Sequence, residues 1–99
     1  MTVRTYPMDI AAELKTEKDI KYFVEAAIEE AVSDPDPIAL AHCLETAARA
    51  KGMLEVSRKT GLDRAGLYRS LRKGTPRLDT FGKVAAALGY RITLAPINT

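Results

Sequence analysis

The spacing of apolar residues predicts a mostly α-helical fold, five to six short helices followed by one short C-terminal β-strand. Three observations carry this expectation. Apolar residues recur every three or four positions through most of the chain; Asp, Pro and Gly fall where such helices would start and stop; and 90–94 alone alternates apolar with polar residues. At 99 residues the chain has the size of one domain, 1–99. It is expected to divide into an N-terminal helical region (1–52), a central helix pair with the helix after it (53–89) and a terminal strand (90–95). No internal repeat or low-complexity tract interrupts it, so the helices are expected to share one core.

In chain order, Met8 to Lys15 reads as a short helix or turn capped by Asp9. Glu17 to Ser33 places Ile20, Phe23, Val24, Ala27, Ile28 and Ala31 on one face of an amphipathic helix. Ser33-Asp34-Pro35-Asp36-Pro37 ends it. Either aspartate can cap the next helix, and the following proline fits a first helical turn because its missing N–H would go unpaired there anyway. That next helix runs from about Pro37 to Lys51, with Leu40, Leu44, Ala47 and Ala48 as its inner stripe and Gly52 as its stop.

Met53 to Lys73 has the outline of a helix-turn-helix. Met53, Val56 and Thr60 share one side of a first helix. Gly61 supplies the positive φ that stops it, Leu62 turns back to the core, and Asp63 is a good N-cap for a second helix. Leu67 and Leu71, four apart, form that helix's buried stripe, and its other face carries Arg64, Tyr68, Arg69, Arg72 and Lys73. Gly74-Thr75-Pro76 is then a loop. Leu78, Phe81, Val84, Ala85 and Leu88 stripe a last helix closed by Gly89. Tyr90 to Leu94 follows as a strand that could pair with Thr2 to Tyr6, with its copy in a second subunit, or with another protein.

The formal net charge of +2 hides an asymmetry. Residues 1–50 hold five Lys/Arg against ten Asp/Glu (−5), whereas 51–99 hold ten against three (+7). A basic half attracts a polyanion such as nucleic acid, and an acidic half is free to meet a basic partner. No transmembrane span and no signal-peptide pattern is present, and the single cysteine, Cys43, forms no internal disulfide, so a cytoplasmic location is expected, without a membrane partner. An enzyme is not expected. His42 and Cys43 are adjacent in a helix and point about 100° apart, which suits structural roles better than a nucleophile and base. No metal-ligand spacing, P-loop or dinucleotide fingerprint occurs, so no cofactor or metal is expected. Glu25, Glu29 and Glu30 read as a solvated or partner-facing strip.

The expected DNA-binding set is Arg58, Lys59, Asp63, Arg64, Ala65, Tyr68, Arg69, Arg72 and Lys73. Arg64 and Arg69 are expected near base edges, and Arg58, Lys59, Arg72 and Lys73 at phosphates. Tyr68 could contact a base or lie along the backbone. Gly66 is unusual within a helix, where it costs on the order of 1 kcal/mol relative to alanine. It either lets the backbone approach DNA or packs closely against the first helix of the pair.

Val56 to Leu71 (VSRKTGLDRAGLYRSL), Lys73-Gly74-Thr75-Pro76 and Phe81 to Gly89 (FGKVAAALG) together resemble the lambda-repressor/Cro-like (XRE-type) domain. More narrowly, with Asp9 to Leu14 (DIAAEL) ahead of Gly61 to Leu71, nearly the whole chain is similar to the probable addiction module antidote proteins, a HigA-like antitoxin group. Ser57 departs from the alanine usual in the broader superfamily, although serine is also small. The resemblance implies a lambda-repressor-like helix-turn-helix fold and an antitoxin of a type II module. It implies repression of its own operon through double-stranded operator DNA, and a partner toxin that is small, basic and RelE/ParE-like or HigB-like, usually a ribosome-dependent mRNA endonuclease. A homodimer is expected from the small size of the domain and the unpaired strand at Tyr90 to Leu94. The alternatives are a stand-alone transcriptional repressor and a toxin-binding module without specific DNA binding.

Overall fold

A computed structural model describes residues 10–33 and 36–97. Among these residues are six helices: α1 (Ile10–Glu13), α2 (Glu17–Ser33), α3 (Pro37–Lys51), α4 (Met53–Thr60), α5 (Arg64–Lys73) and α6 (Leu78–Ala87). Their boundaries follow from local chemistry. Thr16 and Asp19 bracket the start of α2 reciprocally, the Asp19 N–H donating to the Thr16 hydroxyl (3.0 Å) and the Thr16 N–H to the Asp19 carboxylate (3.1 Å). Asp36 is the aspartate that caps α3, accepting from the Ala39 N–H at 3.2 Å, with Pro37 in the first turn. Asp9, the expected cap of α1, lies outside the described residues, as does Asp34.

Helix α3 is the centre of the molecule and touches α1, α2, α4, α5 and α6. Being covered from several sides, it buries an arc wider than the expected stripe. Ala41, Leu44, Glu45, Ala47 and Ala48 are buried, whereas Leu40 sits half-buried at the margin. Around α3 the core collects Ile20 and Val24 from α2, Val56 from α4, Leu67 and Leu71 from α5, and Val84 and Ala87 from α6. Each fully enclosed Leu or Val contributes about 1.5–3 kcal/mol relative to exposure. The small residues Ala47 and Ala48, fully enclosed, let the neighbouring helices approach. Lys51 at the end of α3 reaches Glu17 at the start of α2 (3.1 Å), joining the two longest helices at one end.

The C-terminal strand expected at Tyr90 to Leu94 does not form; no strand exists among the described residues. Tyr90 instead completes the end of α6. Gly89 adopts φ +93°, its N–H donates to the Ala86 carbonyl (3.0 Å) and the Tyr90 N–H donates to the Ala85 carbonyl (2.8 Å). Those two bonds are the Schellman pattern, with the Tyr90 side chain packed on the core as its hydrophobic contact. Beyond it, Leu94 and Ile97 are exposed and Ile92 passes over Gly82. Alternation describes side chains that could face two ways, but a strand exists only when its backbone finds a ladder partner. Thr2 to Tyr6, one expected partner, lies outside the described residues.

Candidate nucleic-acid interface

Helices α4 and α5 are joined by the three residues Gly61, Leu62 and Asp63. Gly61 takes the left-handed conformation (φ +74°) and donates its N–H to the Ser57 carbonyl at 2.9 Å. Side chains secure the turn as well. The Ser57 hydroxyl donates to the Leu62 carbonyl, and the Thr60 hydroxyl accepts from the Leu62 N–H (3.2 Å). Serine at 57 therefore adds a hydrogen bond that an alanine there would lack. Asp63 caps α5, its carboxylate accepting from the Gly66 N–H at 2.9 Å. That bond gives Asp63 a structural duty at the start of the helix.

The back of α5 is held by Leu67 and Leu71, both essentially inaccessible. Arg64, Ala65, Arg69, Arg72 and Lys73 are exposed, and Tyr68 is half-buried. With 100° per residue, Arg69 stands opposite the buried stripe with Ala65, Arg72 and Lys73 beside it, while Arg64 and Tyr68 lie toward one flank. On that flank they line an open groove with Arg49, Met53 and Ala11. The Tyr68 ring lies 5.0 Å from the Arg72 guanidinium, a cation–π contact that limits where the Arg72 charge can swing. Arg58 and Lys59 are exposed on α4, Lys59 pairing with Glu55 at 3.3 Å across one helical turn. The expected cationic residues of α4 and α5 thus reach the surface, as one row on α5 and a pair on α4, with Arg64 exposed on the flank at the N-terminal end of α5, from which its long side chain can extend past the end of the helix.

Two contacts that sequence reasoning missed fix the C-terminal end of α5. The His42 ring on α3 donates from Nε2 to the Arg72 carbonyl (3.0 Å), satisfying a helix-end acceptor. Gly74 (φ +82°) is buried against Ile38 and His42. Nothing in the local spacing links residue 42 to residue 72. Two further residues went unassigned. Lys83 of α6 shares a shallow depression with Lys59, a proximity hidden by their sequence separation. Glu45, buried in α3, pairs with Arg49 at 2.7 Å, and this i, i+4 pair was visible in the sequence as E-x-x-x-R.

For reaction chemistry the arrangement offers little. His42 is engaged with the α5 carbonyl, and burial, followed by the nearby Glu30 carboxylate, pushes the Cys43 thiol above its ordinary range. A thiol so placed is a poor nucleophile at neutral pH. Among the described residues no cluster of His, Cys, Asp and Glu could hold a metal, and no helix is long and apolar enough to cross a membrane.

Comparison with known proteins supplies a family. Residues 4–96 match the family described as probable addiction module antidote protein. An uncharacterized protein of Haemophilus influenzae is 33% identical over 93 residues, spanning 92% of this chain and 91% of that protein. No solved structure gives a significant match. With the match running over nearly its whole length, the chain belongs to the family of probable addiction module antidote proteins.

Proposed function

We propose that this protein is the antitoxin of a type II toxin–antitoxin module, which binds operator DNA through a helix-turn-helix formed by α4 and α5 and neutralises a RelE/HigB-like toxin by direct binding. One observation carries the DNA half. Arg69, Arg72 and Lys73 project from the exposed side of a helix whose opposite side is locked to the core by Leu67 and Leu71, behind a glycine turn. A rigid cationic helix of this kind suits a major groove, its long side chains reaching base edges and phosphates. Membership of the antidote family supports the antitoxin half. The protein works as a homodimer in this reading, each α5 facing one half of an inverted repeat. Arg64 and Arg69 read bases; Arg58, Lys59, Arg72 and Lys73 hold phosphates; Asp63, Ala65 and Tyr68 complete the contact surface. The toxin meets the acidic half, where α2 exposes Glu25, Glu29 and Glu30.

Mobility shifts on the DNA upstream of the reading frame test the assignment. Arg64→Ala should lose about 1–3 kcal/mol of discrimination between operator and random sequence. Lys59→Ala should weaken both alike and lower the salt slope by about one. Equal loss on both DNAs for both variants would sink the assignment of roles. The toxin half is tested by co-expressing the neighbouring small basic frame: growth arrest by that frame alone, relieved by this chain, is the expected result.

A further inference from the structure

Gly66 sits in the first turn of α5, half-exposed, in a helix with no need of a flexible residue. Close packing against α4 would explain it, and the geometry speaks against that explanation. A Cβ built at Gly66 would find the Asp63 carboxylate at 3.4 Å and the Asp63 and Arg69 side chains at 4.0 Å, and these three nearest atoms belong to α5 and its cap. All are ordinary contacts. The molecule has room for a side chain here, on the margin of a shallow cleft shared with Leu62, Ser70 and Thr80. Glycine in a helix is disfavoured relative to alanine, so its presence points to something outside the chain that a side chain would meet.

We infer that Gly66 is a point of close backbone approach to DNA, a positioning residue that lets the N-terminal turn of α5 seat deeply enough for Arg69 to reach a base edge. The inference rests on the DNA-binding reading above. Gly66 lies three residues before Arg69, so both occupy the same side of α5 one turn apart. A side chain at 66 would hold the first turn off the duplex and lift Arg69 with it. Its loss would act on fit and leave the charge contacts intact, because no charge is removed.

The test uses Gly66→Ala and Gly66→Leu in the full chain, with thermal melting beside anisotropy titrations on the upstream operator and on random duplex. Both replacements favour helix, and the alanine Cβ meets only ordinary contacts within the protein, so the melting temperature of Gly66→Ala should hold or rise, by up to about 5 °C. Operator affinity should fall on the order of tenfold for alanine, comparable to one mismatched base pair, and further for leucine. Random-sequence affinity and its salt slope should barely change. Wild-type operator affinity in both variants overturns the inference and leaves the DNA-binding reading standing. A melting temperature lowered by several degrees in Gly66→Ala overturns it too, since that would reveal a packing role. If the wild-type protein itself shows no preference for the operator, the reading falls and the inference with it.

Discussion

Gly61 and Gly74 both adopt left-handed backbone, at φ +74° and φ +82°, yet replacing them should have unequal consequences. A Cβ at Gly61 would meet open space, whereas at Gly74 it would stand 2.7 Å from Ile38 Cγ2 and 3.0 Å from His42 Nε2. Gly61→Ala should therefore cost only the conformational term, about 1 kcal/mol. Gly74→Ala adds an overlap in a buried corner and should cost about 2–4 kcal/mol, by displacing the His42 contact to the end of α5. Urea unfolding of the two variants checks the ranking, and equal losses would contradict the account of that corner. Cys43 gives a second residue-level expectation. Because burial and Glu30 raise its pKa, less thiolate is present at pH 7.5 than for a free thiol. Alkylation by iodoacetamide should be correspondingly slow in the folded protein and reach ordinary rates in denaturant.

At the scale of elements, the limits of α2 through α5 were legible because each is set by neighbours in sequence. Asp36 before Pro37, Gly52, Gly61 and Asp63 act within four residues of the groups they satisfy. The same locality made the cationic side of α5 readable, since Leu67 and Leu71 define its back. What escaped was non-local. The burial of Ala41 and Glu45 depends on how many helices surround α3, and the His42 contact with Arg72 depends on where α5 ends in space. Tyr90 to Leu94 misled for the same reason: its alternation was local, but strand formation needs a partner, and the local alternative for Tyr90 was to close α6 over Gly89. Helix α5 also makes its own prediction. Removing the cap in Asp63→Ala should lower stability by about 1 kcal/mol, and because the cap orders the first turn, operator binding should weaken as well. Asp63→Asn should restore most of the stability, a comparison that thermal melting reads directly.

At the scale of the molecule, α3 lies between α2 and α5, so the acidic surface of α2 and the cationic surface of α5 are carried by helices that pack on the same central element. This arrangement suits a protein that meets a basic partner and a polyanion through separate surfaces. The apolar side chains left exposed beyond α6, Leu94 and Ile97 with the partly covered Ile92, are where we expect a second copy to pack. Sedimentation should then give a dimer for the full chain and a monomer for a chain ending at Arg91, which keeps Tyr90 and its closure of α6; an unchanged dimer after truncation would place the contact on the helices. Sequence reading by α5, as proposed above, is measured in one titration. At physiological salt the wild-type protein should bind the upstream operator about 10³-fold or more tightly than random duplex of equal length, and Arg69→Ala should erase most of that ratio while keeping random-sequence binding. Equal affinity of the wild-type protein for the two duplexes would contradict the account.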